Sequence, residues 1–188
     1  MLENLIQLDT QAFLWLNNFN FSWLDSPMLL ISGRLTWIPL YAILLWVLFR
    51  KYNPKSLGFI LILVVLLIVG ADQISVKLFK DVFQRLRPCY NDAIADQIIL
   101  LKGCGGKYGF VSSHAANTFA LAVFIGKVIK DKKWLLGLLM WASLVSYSRI
   151  YLGVHYPGDI IGGALLGIGI AFVMLVIKNK VKVFDVND

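Results

Sequence analysis

The chain has 188 residues, of which 59% are hydrophobic and only 15% charged, and its mean hydropathy is +0.73. A soluble domain carries about 25% charged residues, so the composition excludes an ordinary soluble enzyme and predicts an integral membrane protein. The length suits a single domain, residues 1–188. The net charge of +7 would suggest nucleic-acid binding in a soluble protein. Most of this charge lies in short loops between apolar segments, so we expect a membrane and no nucleic acid as partner.

The N-terminal segment differs from the rest of the chain because polar residues interrupt its apolar ones. Leu5, Leu8, Ala12 and Trp15 recur at helical spacing, which predicts an amphipathic helix. We expect this helix, within residues 1–25, to lie in the membrane interface. The alternative is a short sixth span.

Five apolar segments follow, each with the length of a membrane-spanning helix. The run Ile160–Ile177 alone would rise about 27 Å as a helix, close to the thickness of the hydrocarbon layer. The predicted fold class is therefore all-α: a polytopic integral membrane helical bundle with about five transmembrane helices, or six, within residues 26–178. The predicted spans are 27–49, 56–79, 112–130, 133–152 and 157–178.

Basic residues orient this bundle. The positive-inside rule places the loops that carry them, together with the tail 179–188, in the cytoplasm. The loop 81–111 and the turn 153–157 then face the periplasm or the exterior of a bacterial inner membrane. The basic clusters are Arg50, Lys51 and Lys55; Lys127, Lys130, Lys132 and Lys133; and Lys178, Lys180 and Lys182.

Three polar stretches fall on the outer side, and the first holds two cations. Lys80 and Arg87 are seven residues apart, so they are predicted to share one face of a helix that Pro88 ends. Two cations at the membrane surface suit a phosphate. The alternative is a pair of anchors for lipid headgroups.

The second stretch is the glycine-rich segment before the third span. Ser112 and Ser113 are natural N-cap residues, and a helix N-terminus is a ready anion site. His114 then lies in the first turn. The alternative is a plain capped helix with an incidental histidine.

The third stretch reads SRIYLGVHYPGD, residues 148–159. Arg149 can hold two oxygens of a phosphate. If Asp159 accepts a hydrogen bond from one ring nitrogen of His155, the other nitrogen is left as a nucleophile. The alternative is an ion pair between Asp159 and Arg149 that only ties two helices together.

These stretches together resemble the three-part signature of the type-2 phosphatidic acid phosphatase family, the membrane branch of a superfamily that includes vanadium haloperoxidases. The matching positions are Lys80…Arg87-Pro88, then Val111-Ser112-Ser113-His114, then Ser148-Arg149…His155…Asp159. Val111 replaces the usual proline and Ser113 the usual glycine of the second part. The resemblance covers about residues 56–175 and leaves out the N-terminal 25.

The resemblance implies a role for each of these residues. His155 would attack phosphorus, Asp159 would orient His155, and His114 would protonate the leaving oxygen and then activate water. Backbone N–H groups near Ser112, Ser113 and His114, with three cations, would hold the phosphoryl oxygens; the cations are Lys80, Arg87 and Arg149. No cofactor or metal is expected, because these cations would oppose a divalent ion at His114, His155 and Asp159.

Two cysteines, Cys89 and Cys104, lie in the predicted outer loop. An oxidising compartment favours a disulfide between them over two free thiols. The bond would close a loop of about fifteen residues and contribute about 3 kcal/mol in the loop-entropy treatment.

We therefore expect an enzyme, a metal-independent membrane lipid phosphatase that acts at the outer face through a phosphohistidine. Candidate substrates are undecaprenyl diphosphate, phosphatidylglycerol phosphate, phosphatidic acid and lipid A phosphates. One alternative is a lipid phosphotransferase with the same site. Another is a non-enzymatic transporter or lipid-binding protein, which should lack a chemical group of the site. The sequence does not choose among the substrates or fix the oligomeric state.

Overall fold

The computed structural model describes residues 2–181, and these residues form helices and no strand. The remaining residues of the predicted tail, 182–188, lie outside this range. The helices are α1 Leu2–Asn18, α2 Ser22–Ile31, α3 Ile38–Lys51, α4 Pro54–Ile74, α5 Asp81–Phe83, α6 Ser113–Ile129, α7 Lys132–Tyr151 and α8 Pro157–Lys180. A π-helix, Ser75–Lys80, joins α4 to α5, and short 3-10 helices cover Leu35–Trp37, Pro88–Tyr90 and Asp92–Gln97.

Two helical segments of the described chain have the length and hydropathy of a membrane span, the run Pro54–Phe83 and α8. α2 and Leu35–Lys51 would together make a third, bent by 73°, and α6 is a shorter apolar helix. α7 coincides in position with the fourth predicted span. The all-helical membrane fold is thus confirmed, whereas the number of five spans stays a prediction.

The core of the bundle is built where α6 packs against α8. A side chain at Gly163 would place its Cβ 2.5 Å from the Ser112 carbonyl oxygen and 3.0 Å from the Ala115 Cβ. Small residues on both helices therefore let the two backbones approach closely, as is usual between helices in lipid. This close approach brings the N-termini of α6 and α8 side by side.

The predicted span over residues 27–49 is not one continuous helix, because the chain bends between α2 and α3. Thr36 Oγ1 and Trp37 Nε1 donate hydrogen bonds of 2.6 and 2.9 Å to the last carbonyl oxygens of α2. These side chains thus bond to carbonyl oxygens that would accept from backbone N–H groups if the helix continued. Pro39, which lacks an N–H, then lies in the first turn of α3, where proline is well tolerated.

The prediction that Lys80 and Arg87 share a helical face is also wrong. The helix ends at Gln84, which takes the left-handed conformation with φ 47°. Arg87 follows in an extended segment paired with the loop that precedes α6. Lys80 and Arg87 therefore approach the outer end of α6 from a helix and a loop, respectively.

The N-terminal helix α1 packs across the end of the bundle that holds the N-terminus of α8. Phe13 is fully buried, whereas Leu5, Leu8 and Trp15 are exposed. Asn17 Nδ2 donates to three backbone carbonyl oxygens at 3.0–3.1 Å, two of them at the end of α7. α1 is not among the helices with the length and hydropathy of a span, and its location in the membrane interface stays a prediction.

Candidate active site

His155 and Asp159 form the centre of the candidate site, at the turn between α7 and α8. Both side chains are buried, and His155 Nδ1 lies 3.1 Å from Asp159 Oδ2. The same carboxylate oxygen accepts a hydrogen bond of 3.1 Å from the backbone N–H of Tyr156. Because Asp159 lies in the first turn of α8 and His155 lies two residues before that helix, the turn of the chain brings the two side chains together.

The second ring nitrogen of His155 faces a cation. Arg87 Nη1 lies 3.1 Å from His155 Nε2, and a guanidinium can only donate. Nε2 is therefore the acceptor, which leaves the proton on Nδ1, facing Asp159. Burial, followed by the positive charges of Arg87 and Arg149, lowers the pKa of His155 well below its ordinary value of 6.5. The ring is thus neutral at neutral pH, with a lone pair on Nε2.

Lys80 and the start of α6 form the next part of the site. Lys80 Nζ donates to Ser113 Oγ at 2.7 Å, and Ser75 Oγ lies 2.7 Å from the same oxygen. Ser112 caps α6 by accepting from Ala115 N at 3.5 Å. The first N–H groups of α6 have no partner within the helix itself, so Lys80 lies beside an anion-binding helix terminus.

Arg149 projects from the last turn of α7, and its side chain is buried. It donates a hydrogen bond to Ser32 Oγ. Arg149 Nε is buried and has no hydrogen-bond partner among the residues that the structure describes. The alternative ion pair with Asp159 is not formed, because Asp159 bonds to other groups. A buried guanidinium with an open N–H is suited to an oxyanion.

His114 opens onto a cavity of about 540 Å³ between α3, α4 and α6. Ser32, Arg34 and Ser113 lie with it among the polar lining residues. The rest of the lining is largely apolar and includes Leu44, Leu48, Leu61, Val64, Leu121 and Ile125. From His114 to Ile125 the cavity follows α6 for about 17 Å. Polar groups therefore mark one end of an apolar channel of roughly half a bilayer's thickness.

A comparison of the sequence with protein families shows the family of this chain. The model of the PAP2 superfamily matches residues 57–182. The chain belongs to the PAP2 superfamily. The matched range contains all three motif stretches, from Lys80 to Asp159, and the predicted family resemblance is confirmed.

Individual PAP2 relatives are lipid phosphatases. The chain is 37% identical to the lipid A 4'-phosphatase of Bacteroides thetaiotaomicron over 170 residues, which cover 89% of this chain and 75% of the relative. It is 31% identical to the undecaprenyl-diphosphatase of Sulfolobus acidocaldarius over 180 residues, 94% of this chain and 82% of the relative.

A solved PAP2 structure shares the fold. The transmembrane PAP2-type phosphatidylglycerolphosphate phosphatase from Bacillus subtilis superimposes with a TM-score of 0.76. The match covers 97% of this chain and 90% of that chain, at 22% sequence identity. It therefore supports the helical membrane architecture, including the N-terminal helices that the PAP2 family model leaves out.

Two residues that sequence reasoning missed adjoin this PAP2 site. Arg85 Nη1 donates to Asp159 Oδ1 at 3.1 Å, and Arg85 Nη2 donates to Asp9 Oδ2 at 2.7 Å. Arg85 occupies one of the six unspecified positions between Lys80 and Arg87 of the first motif, and Asp9 precedes the matched range. A sequence signal existed for Asp9, because it lies one helical turn before the buried Phe13.

The outer loop is closed by a pair of cysteines. Cys89 and Cys104 are joined, with Cα atoms 6.2 Å apart. Tyr90 OH donates to the Gly105 carbonyl oxygen at 3.0 Å beside this link. The paired segment connects Arg87 to the residues that lead into α6, so it ties the first PAP2 motif to the second.

Proposed function

We propose that this protein is a membrane lipid phosphatase that hydrolyses a phosphate monoester or diphosphate through a phosphohistidine on His155. The observation that carries the proposal is the geometry of this ring. Nδ1 faces the Asp159 carboxylate and Nε2 faces Arg87. A neutral imidazole oriented in this way, within a cluster of cations, is an activated nucleophile.

In the first step, His155 Nε2 attacks phosphorus. The P–N bond forms while the bond from phosphorus to the leaving oxygen breaks, and His114 donates a proton to that oxygen, which is the lipid oxygen of a monoester or the bridging oxygen of a diphosphate. Arg87, which contacts Nε2 in the free protein, transfers its hydrogen bond to a phosphoryl oxygen. The positive charge that develops on the ring is stabilised by the Asp159 carboxylate.

In the second step, water attacks the phosphohistidine. His114 accepts a proton from the water, the P–N bond breaks, and inorganic phosphate leaves. Lys80, Arg87, Arg149 and the N-terminus of α6 hold the phosphoryl oxygens in both steps, because phosphoryl transfer depends on positioning and charge stabilisation. We propose that no metal ion takes part, since these cations supply the charge that a metal would supply elsewhere.

The apolar cavity supports a lipid as the substrate. Its polar end contains Ser113 and His114, and its apolar length runs along α6 between α3 and α4. A hydrocarbon tail in this cavity would leave its phosphate beside the cations. The relatives' names supply three lipids of the panel to test, lipid A 4'-phosphate, undecaprenyl diphosphate and phosphatidylglycerol phosphate. Phosphatidic acid, a candidate from the sequence analysis, is the fourth.

We further propose that the site faces the periplasm or exterior of a bacterial inner membrane. The basic residues Lys132 and Lys133 begin α7 at the end opposite Arg149, and the positive-inside rule places them in the cytoplasm. An impermeant amine reagent applied to intact cells should not label Lys132 or Lys133. Labelling of either residue would reverse the orientation.

The decisive experiment measures phosphate release from the lipid panel by the purified protein in detergent. His155→Gln should release phosphate at least about 10⁴ times more slowly than the wild type, whereas Asp96→Asn, at an exposed position, should be unaffected. Wild-type protein quenched in alkali during turnover of a ³²P-labelled lipid should carry base-stable, acid-labile label. Full activity of His155→Gln would overturn the nucleophile assignment.

Two additions to this assay separate the alternatives. We expect the activity to persist in EDTA. If EDTA abolishes the activity and magnesium restores it, the metal-free mechanism is contradicted. Transfer of the label to a second lipid instead of to water would identify a phosphotransferase.

A further inference from the structure

A chain of charged groups runs from α1 to His155. Asp9 and Arg85 form an ion pair of 2.7 Å, and Arg85 forms a second one of 3.1 Å with Asp159 Oδ1. The opposite oxygen of Asp159 contacts His155 Nδ1 at 3.1 Å. Two ion pairs and one hydrogen bond in series thus connect a helix outside the family motif to the proposed nucleophile.

Asp9 is fixed by contacts on both of its carboxylate oxygens. Oδ2 accepts from Arg85, and Oδ1 accepts from the backbone N–H of Gly158, at 2.7 Å, in the first turn of α8. A Cβ at Gly158 would lie 2.6 Å from the Asp9 carboxylate, so glycine leaves the room that this contact needs. Asp9 therefore contacts both the N-terminus of α8, the helix that bears Asp159, and Arg85, the arginine that contacts Asp159.

Arg85 is held in a defined position between these two carboxylates. Its guanidinium carbon lies 4.1 Å from the centre of the Tyr156 ring. Tyr156 in turn packs edge-on against Phe13 of α1, with ring centres 5.3 Å apart, and its hydroxyl accepts from Asn91. A planar guanidinium that is stacked on one face and paired at both terminal nitrogens has little rotational freedom.

Asp159 needs this partner because its side chain is 0% exposed, whereas that of Arg85 is 23% exposed. Oδ2 already accepts from His155 and from the Tyr156 backbone. Within the described chain, Arg85 is the side chain that donates to Oδ1. Removing it would leave one oxygen of a buried carboxylate without a partner, which strongly disfavours the ionised form.

We propose that Asp9 and Arg85 are positioning residues for the reaction: Asp9 aligns Arg85, and Arg85 keeps the Asp159 carboxylate ionised and directed at His155. This inference rests on the proposed phosphohistidine mechanism. It concerns the rate of the chemical step, because the developing charge on His155 is stabilised by Asp159. In the described structure, neither residue contacts the cations assigned to the phosphate, so substrate binding should change little.

The test compares Arg85→Gln, Asp9→Asn and the double variant by steady-state kinetics over a range of pH. For Arg85→Gln we expect kcat to fall about 10- to 100-fold, the range for residues that orient another group, with KM within about threefold. The acidic limb of its kcat–pH profile should move to higher pH, because Asp159 would then take up a proton more readily. Asp9→Asn should lower kcat by a smaller factor, since its amide oxygen can still accept from Gly158.

The double variant tests whether the two residues act in series. If Asp9 acts through Arg85, the double variant should be no slower than Arg85→Gln alone. Glu3→Gln, which removes an exposed carboxylate from the same helix, is the matched control and should behave like the wild type. Arg85→Lys should recover part of the rate and bring the acidic limb back toward its original pH.

Distinct outcomes overturn the inference and the function. If the wild type is active and Arg85→Gln has the same kcat and pH profile as the wild type, the inference is overturned and the proposed function is not. Additive losses in the double variant would have the same consequence. A rise in KM without a fall in kcat would make Arg85 a substrate-binding residue instead. If Arg85→Gln does not fold, Arg85→Lys and Asp9→Asn with unshifted pH profiles would overturn the inference in the same way. A wild type inactive on every lipid would overturn the proposed function as well.

Discussion

The two halves of the chain contribute to the outer end of the bundle in different ways. The segment from α4 to α8 supplies the three motif stretches, and its side chains point at one another across distances of about 3 Å. The segment from α1 to α3 carries no motif, yet Asp9, Ser32 and Arg34 reach the same region. In the proposed mechanism, the first half positions groups and receives the lipid, whereas the second half performs the chemistry.

Among substitutions that test this comparison, the largest loss of activity is expected in the second half of the chain. Asp159→Asn should lower kcat by about 10³- to 10⁴-fold, because an amide can reverse the tautomer of the neighbouring histidine. Phosphate release per folded protein measures this loss, with Asp92→Asn in the outer loop as a control. A loss below tenfold would mean that His155 does not depend on its carboxylate.

A conservative change at Arg149 should have an intermediate effect. Arg149→Lys keeps the charge but loses the fork that can hold two phosphoryl oxygens, so kcat/KM should fall about 10- to 100-fold. Inhibition by vanadate should weaken in parallel, because vanadate resembles the transferring phosphoryl group. Unchanged vanadate binding would place Arg149 outside the phosphate site.

Narrowing the apolar cavity between α3, α4 and α6 should slow the hydrolysis of long-chain substrates only. Leu61→Trp adds bulk to a residue that lines the cavity, and kcat/KM for a long-chain phosphate should fall about tenfold as the tail loses space. A short-chain phosphate should be hydrolysed at the wild-type rate. Ile62→Trp, at the adjacent exposed residue, is the matched control, and equal losses in both variants would exclude this cavity as the tail site.

The smallest expected effect comes from the contact between the two halves at Ser32. Ser32→Ala removes the hydroxyl that accepts from Arg149, and the free arginine can still reach a phosphate. We expect a loss of about three- to tenfold in kcat/KM. A loss as large as that of Arg149→Lys would show that Ser32 takes part in binding the phosphate itself.

The division between the halves also explains what the sequence could predict. His155 and Asp159 are four residues apart at the start of a helix, so local geometry sufficed to bring them together. The helix fold followed from the apolar runs. The bend between α2 and α3 escaped prediction because Thr36 and Trp37 replace the helical hydrogen bonds by side-chain ones. Arg85 and Asp9 escaped because 76 residues separate them and only the packing of α1 makes them neighbours.

The π-helix before α5 has a consequence for how this chain tolerates insertions and deletions. In a π-turn, residues five apart stack, so Ser75 and Lys80 both reach Ser113 Oγ. Deleting Val76 would keep the seven-residue spacing from Lys80 to Arg87. It would convert the turn to an ordinary α-helix, in which residues four apart lie on one face, so Lys80 would stay on the same face as Ser75. A homologue that lacks this one residue could therefore keep the motif and still bring its lysine to the N-terminus of α6.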